Sequence, residues 1–308
     1  MEDSEIEVMS EIHLGCPPAT TGPILSRFTL SVPGHCISVD KDGDLLLPRR
    51  NSRRKIDCPS AQSFTLTIQH CIASTLRDVG LQVWKAQLLL SEFVLHKMCT
   101  SSQLHATVCL ELGAGTGLLG ILLARVAKAV FLTDHGDDIL GNCAHNVEMN
   151  SSLFNPQAVV NVRDLDWMSQ WPNNLDIHGD CRDPQKYCWS SQDFEQVKSA
   201  SFIFAADVIY SDDLTIALFS MLKRVMSFGC EKVLYLGLEK RYNFSMDDLN
   251  VVANGYACFR SYIKEDGLCE QEERSFLGRR IDITQIPQYI KGYDRGEDVE
   301  LWEIKYVH

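Results

Sequence analysis

Phe64-Thr-Leu-Thr-Ile-Gln-His alternates apolar and polar side chains between Ser63 and Thr75, the period of a half-exposed strand that opens a hairpin into the main domain. After Gly80, Val83, Ala86, Leu89, Leu90, Phe93 and Val94 recur at helical spacing, which predicts a helix over 83–98. Short apolar runs then predict strands at 107–112, 129–133, 158–164, 201–206 and 232–238. Between them lie helical patterns at about 116–128, 136–150 and 214–226, with a short helix from Ser191 at the end of a polar loop over 168–200. Ser245 is placed to cap a helix running from near Met246 to about Tyr262, and strands at about 276–283 and 299–306 close the chain. Residues 1–60 read as a partly irregular extension. There Ile24–Val32 predicts a strand, but Pro17, Pro18, Pro33 and Pro48 interrupt the pattern, so the main domain is set at 61–308.

Strands that alternate with helices predict an α/β fold, a mostly parallel sheet with helices on both faces. In such sheets ligands bind at the carboxyl ends of the strands. Gly113, Asp134, Asp166 and Asp207 all fall at such ends.

The first of those ends carries the most chemistry. From Val108 the chain reads V-C-L-E-L-G-A-G-T-G-L-L-G. Glycines without Cβ atoms let the backbone turn tightly and let a ligand approach its N–H groups. An acid at the end of the next strand, Asp134, is placed to accept from ribose hydroxyls. A dinucleotide motif read from Gly113 would need glycine where Leu118 stands, and the reading Gly115, Gly117, Gly120 starts three residues after the strand ends at Leu112. Glu111, two residues before Gly113, would repel a pyrophosphate but can meet a cationic cofactor or hold the loop. Together Glu111 and Asp134 favour S-adenosylmethionine over a bare strand–turn–helix.

With 308 residues, 45% of them hydrophobic, the chain can bury a substantial core. No apolar run approaches the roughly 20 residues of a membrane span, and Met-Glu-Asp-Ser-Glu-Ile-Glu lacks the pattern of a secretory signal. The twelve cysteines never form a C-x-x-C pair, and Cys109 and Cys143 sit in apolar runs, which predicts reduced thiols and no structural zinc. The expected location is intracellular, nucleus or cytoplasm. Arg49, Arg50, Arg53, Arg54 and Lys55 read equally well as a nuclear address or a solvated linker. Asp40-Lys-Asp-Gly-Asp fails as a calcium loop, because Leu45 and Asn51 stand where glycine and glutamate are required. A net charge of −12 disfavours nucleic acid and suits a basic partner, though it also serves solubility alone.

Val83-Trp-Lys-Ala, Glu111-Leu-Gly-Ala-Gly-Thr-Gly, Leu165-Asp-Trp and Ala206-Asp-Val-Ile-Tyr together resemble the seven-strand lysine methyltransferases of methyltransferase family 16, over roughly 64–307. The resemblance implies a Rossmann-like, S-adenosylmethionine-dependent fold and transfer of a methyl group to a lysine side chain of a protein. By position it implies that Gly113, Ala114 and Gly115, with Thr116 and Gly117, cradle the cofactor, and that Asp134 takes its ribose. Trp167 would border the adenine, Asp166 would accept from its amino group, Trp84 would close over the cofactor, and Ala206 would belong to the same cofactor-binding set. Asp207 and Tyr210 correspond to a D-x-x-Y element facing the methyl group. Without the resemblance, Trp84 and Trp167 read as core aromatics, and Asp207 as a helix cap, a task that Asp212 and Asp213 suit better.

The expected partner is therefore a protein whose target lysine lies in a basic segment, met by a monomer, with no nucleic acid and no membrane. Three other classes compete: a small-molecule or nucleotide methyltransferase, a non-catalytic cofactor binder, and a dehydrogenase. The missing N-P-P-Y-type element speaks against amide or adenine acceptors. A scaffold would have no need of Glu111, Asp134 and Asp207 together.

Overall fold

A computed structural model describes residues 7–12, 22–32, 38–39, 45–46, 62–169, 171, 187–245, 250–265 and 275–307. The basic cluster at 49–55, the Asp40–Asp44 stretch and, within the 168–200 loop, residues 170 and 172–186 lie outside the described residues.

The N-terminal third holds β1 (Glu7–Met9), β2 (Ile24–Val32), the two-residue β3 (Ser38–Val39) and β4 (Leu45–Leu46), β5 (Gln62–His70), β6 (Ala73–Thr75) and α1 (Lys85–Thr100). Next come β7 (Val108–Leu112), α2 (Leu118–Leu123), β8 (Ala129–Asp134), α3 (Asp137–Met149) and β9 (Val159–Asp164). The chain continues through α4 (Ser191–Lys198), β10 (Phe202–Ala206), α5 (Asp212–Met226) and β11 (Val233–Glu239). It ends with β12 (Asn243–Ser245), β13 (Asn250–Val252), α6 (Asn254–Tyr262), β14 (Ile263–Glu265), β15 (Ser275–Ile281) and β16 (Val299–Val307).

The main sheet runs β14-β15-β16-β11-β10-β7-β8-β9, the expected seven strands plus the three-residue β14 at one edge. From β9 through β11 every neighbour is parallel, and β16 then joins antiparallel to β11. From β7 the chain moves outward to β8 and β9, then returns to build β10 and β11 on the other side. The order reverses between β7 and β10, and a crevice opens there at the strands' carboxyl ends.

Strand alternation divides the interior in two. Cys109, Val130, Leu132, Phe204 and Tyr235 pack with α1 and α2 on one face. Leu110, Phe131, Ile203, Ala205 and Leu236 pack with α4, α5 and α6 on the other. Both faces being covered, these central strands are apolar almost throughout. Cys109 and Cys143 are buried thiols, as their setting in the sequence implies.

β2 and β5 form a nine-residue antiparallel pair from Ile24↔His70 to Val32↔Gln62. Phe28, Leu30, Leu66 and Ile68 enter the first core, so the boundary set at 60/61 falls between two strands that share one pairing. Three sequence expectations change. α2 stops at Leu123, where Arg125 and Val126 donate to the carbonyls of Leu122 and Leu123 and tighten the chain into turns. The helix expected over about 246–262 is shorter: Ser245 ends β12, Asn250–Val252 form β13, and α6 covers Asn254–Tyr262. At α5 the cap position belongs to Ser211, with Asp212 and Asp213 in the first turn.

Candidate active site

Leu112 ends β7, and the next residues turn back on themselves. Gly113 (φ 68°) and Gly115 (φ 52°) are left-handed, a region costly to residues with a Cβ. A Cβ on Gly113 would lie 2.6 Å from Val208 Cγ1, and one on Gly115 would lie 2.9 Å from the Gly80 carbonyl oxygen. Space and conformation therefore demand glycine at both positions. Asp134, at the tip of β8, secures the turn: Oδ2 accepts from Gly115 N–H at 2.7 Å and Oδ1 from His135 N–H at 2.8 Å. Burial raises the Asp134 pKa, while the two N–H groups draw it back.

Over this turn lies a cavity of about 480 Å3. Trp84, Gly113, Gly115, Asp134, Asp166, Trp167, Ala206, Asp207 and Tyr210, all singled out from the sequence, line it. Trp84 precedes α1 and anchors its indole by donating to Val79 O at 3.1 Å. Trp167 stands beside the glycine turn, within 3.4 Å of where a Gly113 Cβ would be. Asp166 accepts from Met168 N–H at 2.9 Å and Ser169 Oγ at 2.6 Å, so its carboxylate also ties its own turn.

Four expected cofactor residues are not on the cavity wall. Glu111 is fully buried in β7, its carboxylate without a hydrogen-bond partner and Oε2 only 2.9 Å from where a Cβ on Gly120 would stand. Burial raises its pKa well above the ordinary value and Asp134 adds to the rise. Its position is off the cavity wall. Ala114 braces the turn, donating to Thr133 O at 2.9 Å and accepting from Gln87 Nε2 at 3.3 Å. Thr116 is buried, and Gly117 bonds back to Ala114 O at 2.8 Å before α2 begins.

Asp207 and Tyr210 form the opposite wall. Asp207 is left-handed (φ 58°), an uncommon state for a residue with a Cβ, and its N–H donates to Gly237 O at 2.8 Å. The side chain is 2% exposed, Oδ2 pairs with Arg241, and Oδ1 has no partner. Burial pushes its pKa up to about 6 against the pull of Arg241, with Glu239 adding to the rise. Tyr210 is more open, and its hydroxyl is pushed up to about 12, by burial first and then by Asp134 and Asp207.

Arg241 is the residue that sequence reasoning missed. Its guanidinium lies 4.7 Å from the Trp84 ring centroid and 3.8 Å from Glu239. The signal was present in Glu239-Lys-Arg, a charged run at the carboxyl end of β11, where Gly237 pairs with Ala206. Gln82 and Gln87 were missed as well. Both line the cavity with buried, unpartnered Oε1 atoms, as do Trp167 Nε1 and Asp207 Oδ1. Each such atom costs about 1–3 kcal/mol unless something pairs with it. Four of them on residues that line one cavity mark a ligand site. Among the described residues no group of three or more His, Cys, Asp or Glu could hold a metal ion, and no helix is long and apolar enough to cross a membrane.

Residues 61–181 match the family model described as lysine methyltransferase. Methyltransferase-like protein 22 of Homo sapiens is 34% identical over 245 residues, 78% of this chain and 57% of that protein. Its Mus musculus namesake is 34% identical over 253 residues, 80% of this chain and 60% of that protein. Protein-lysine N-methyltransferase rrg1 of Schizosaccharomyces pombe is 32% identical over 185 residues, 58% of this chain and 53% of that protein. The chain thus spans less than two thirds of the length of these curated relatives. The family match thus falls on residues 61–181, which build the glycine turn, Asp134 and Trp167, and over that stretch the chain is similar to the lysine methyltransferases.

Proposed function

We propose that this protein transfers a methyl group from S-adenosylmethionine to the side-chain amine of a lysine in a protein substrate. One observation carries the reading: the Asp134-tied glycine turn and the buried carboxylate of Asp207 face a single cavity from opposite strand ends. The residues fit that cofactor. The turn leaves no room for a Cβ at Gly113 or Gly115, Asp134 would hold the ribose diol, and Trp167 and Trp84 offer aromatic walls. When bound, the cofactor supplies a sulfonium-activated methyl group.

The chain's own residues then have to seat an amine and let it lose a proton. A free lysine has a pKa near 10.4 and attacks only when neutral. Asp207, with Tyr210 beside it, would accept from the ammonium and point its nitrogen into the cavity. Apolar walls and a nearby positive charge favour the neutral amine, and the proton leaves to water. Asp134, Asp166, Asp207 and Glu239 make this end of the sheet acidic in a chain of net charge −12. A target lysine in a basic segment fits that field, and a polyphosphate backbone does not. We extend the proposal to a monomer acting inside the cell, in nucleus or cytoplasm.

Tritiated S-adenosylmethionine incubated with the protein and a cell extract tests this. Label in a protein band that hydrolyses to methyl-lysine is the expected outcome. Label confined to small molecules would replace the lysine reading with a metabolite methyltransferase, and no label with intact cofactor binding would leave only a binding module.

A further inference from the structure

We infer that Arg241 is a positioning residue for methyl transfer: by holding Oδ2 of Asp207 it leaves Oδ1 as the one oxygen offered to the acceptor amine. The inference rests on the proposed lysine methyl transfer. Its basis is the asymmetry of the Asp207 carboxylate. Oδ2 is engaged by a single guanidinium nitrogen of Arg241, while Oδ1 is buried on a cavity-lining residue without a partner. A forked, two-nitrogen pair, the common arginine–carboxylate geometry, would have used both oxygens. A cation that merely filled the amine's seat would be expected to do so.

Arg241 is held by more than its carboxylate. Its guanidinium lies over the Trp84 ring at 4.7 Å and reaches Glu239 at 3.8 Å. Glu239 is in turn paired at 3.2 Å with Lys85, the first residue of α1. Trp84 and Lys85 come from the start of α1, and Glu239 and Arg241 from the end of β11, so two elements fix the guanidinium from both sides. Asp207 has no comparable freedom, because its own N–H is bonded to Gly237 O at 2.8 Å. The carboxylate plane is thereby set by Arg241 and Glu239, neither of which lines the cavity, with the cavity-lining Trp84 ring packed against the guanidinium.

The same contact controls charge. The groups acting on Asp207 are Arg241 and Glu239 from the β11 end, and the Tyr210 hydroxyl also senses the Asp207 charge from the loop after β10. Burial and the Glu239 carboxylate favour the protonated acid; Arg241 is the cation that opposes them, with a smaller pull from the Glu239 backbone N–H. With Arg241 removed, Asp207 would hold its proton to higher pH, and a neutral acid orients an ammonium poorly.

Full-length Arg241→Ala and Arg241→Lys are compared with the parent in two assays: calorimetry with S-adenosylhomocysteine, and tritium labelling of extract proteins across pH 5–9. We expect Arg241→Ala to bind the nucleoside within about threefold of the parent and to label the same bands at least roughly tenfold more slowly at pH 7. Its acid limb should move up by about one pH unit, with Arg241→Lys recovering part of both losses. Labelling by Arg241→Ala at or above the parent rate, or a loss equal at every pH, overturns the inference while leaving the proposed function in place. Absence of label with the parent chain overturns the proposed function itself, and the inference with it.

Discussion

Asn146 donates to the carbonyl of Thr116 at 2.9 Å, joining α3 to the glycine turn from behind. The same amide spans the gap to β5, accepting from Gln69 N–H at 2.7 Å and donating to Gln69 O at 2.9 Å. Asn142 and Asn150, one helical turn to either side, share the task. Asn142 bonds the Gln69 amide and carbonyl at 3.0 Å, and Asn150 bonds Thr67 N–H at 3.0 Å and Thr67 O at 2.7 Å. Side-chain amides thus replace the missing strand on the edge of β5 that β2 leaves open. Asn146→Leu should lower stability by about 2–4 kcal/mol, because it strands buried backbone groups on two elements. It should also weaken S-adenosylhomocysteine binding, since the Thr116 carbonyl loses its tether. Urea titration and calorimetry measure the two effects, and unchanged affinity would separate the β2–β5 pair from the turn.

Gly115→Arg should abolish nucleoside binding without unfolding the sheet. The left-handed φ of 52° strains any Cβ, and the Gly80 carbonyl 2.9 Å away turns the long side chain toward the cavity. Calorimetry with S-adenosylhomocysteine should show no heat while far-ultraviolet circular dichroism stays that of the parent. Binding retained at parental strength would place the nucleoside elsewhere.

Asp134→Ala should reduce the affinity for S-adenosylhomocysteine at least about tenfold, through loss of charge-assisted acceptors and of the Gly115 tether. Asp134→Asn should lose less, because an amide oxygen still accepts from Gly115 N–H. Equal losses in the two variants would make charge, not turn geometry, the dominant contribution.

How legible each feature is in the sequence depends on its physical origin. Gly113, Gly115, Asp134 and Asp207 were visible because parallel strands read as apolar runs, and the residues just past each run stand at the ligand edge. Arg241 was not, since it acts through a long side chain reaching back from β11 to β10, and no periodicity records that reach. The asparagines of α3 bond backbone, which leaves no apolar trace in the sequence. Pairing of β2 with β5 joins segments separated by residues 33–61, beyond any local pattern. Glu111 was visible as a feature that could meet a cofactor or hold the loop, and its position in β7, off the cavity wall, suits the second task. The helix expected over 246–262 shortened to Asn254–Tyr262, with Asn250–Val252 a strand, because a capping serine says where a helix can start, not that one does.

Arg295→Ala should destabilise the fold by about 3–5 kcal/mol, the range for breaking a buried ion pair. Glu92 lies fully buried in α1, where Oε1 accepts from Tyr289 N–H at 2.7 Å and Ile290 N–H at 2.8 Å. Oε2 accepts from Tyr293 Oη at 2.6 Å and from Arg295 Nε and Nη2 at 2.9 and 2.6 Å. Arg295 also donates to the carbonyls of Ile283, Ile286 and Pro287, so one ion pair staples the β15–β16 connection to α1. Thermal unfolding of Arg295→Ala, Glu92→Gln and the double variant gives the coupling by a double-mutant cycle. Additive losses would mean that the two side chains act independently.

Asp207 should make the folded protein less stable as pH rises through the window between its unfolded and folded titrations. Its folded pKa is raised from 3.8 to about 6 by burial, with Arg241 offsetting part of the rise. The folded chain therefore binds the proton more tightly than the unfolded chain does. Stability falls as pH climbs from about 4 to about 6, and the penalty stays constant above that. For a shift of this size it is on the order of 2–3 kcal/mol. Asp207→Asn carries no such ionisation, and Arg241, 34% exposed at its side chain, keeps Glu239 and Trp84 as partners. That variant should therefore be the more stable protein at pH 7–8, with its advantage shrinking toward pH 4, while its labelling activity is lost. Guanidinium titrations of both proteins at pH 4, 6 and 8 measure the gap. A constant difference at all three would mean that Asp207 is charged throughout and gains as much from Arg241 as burial takes away.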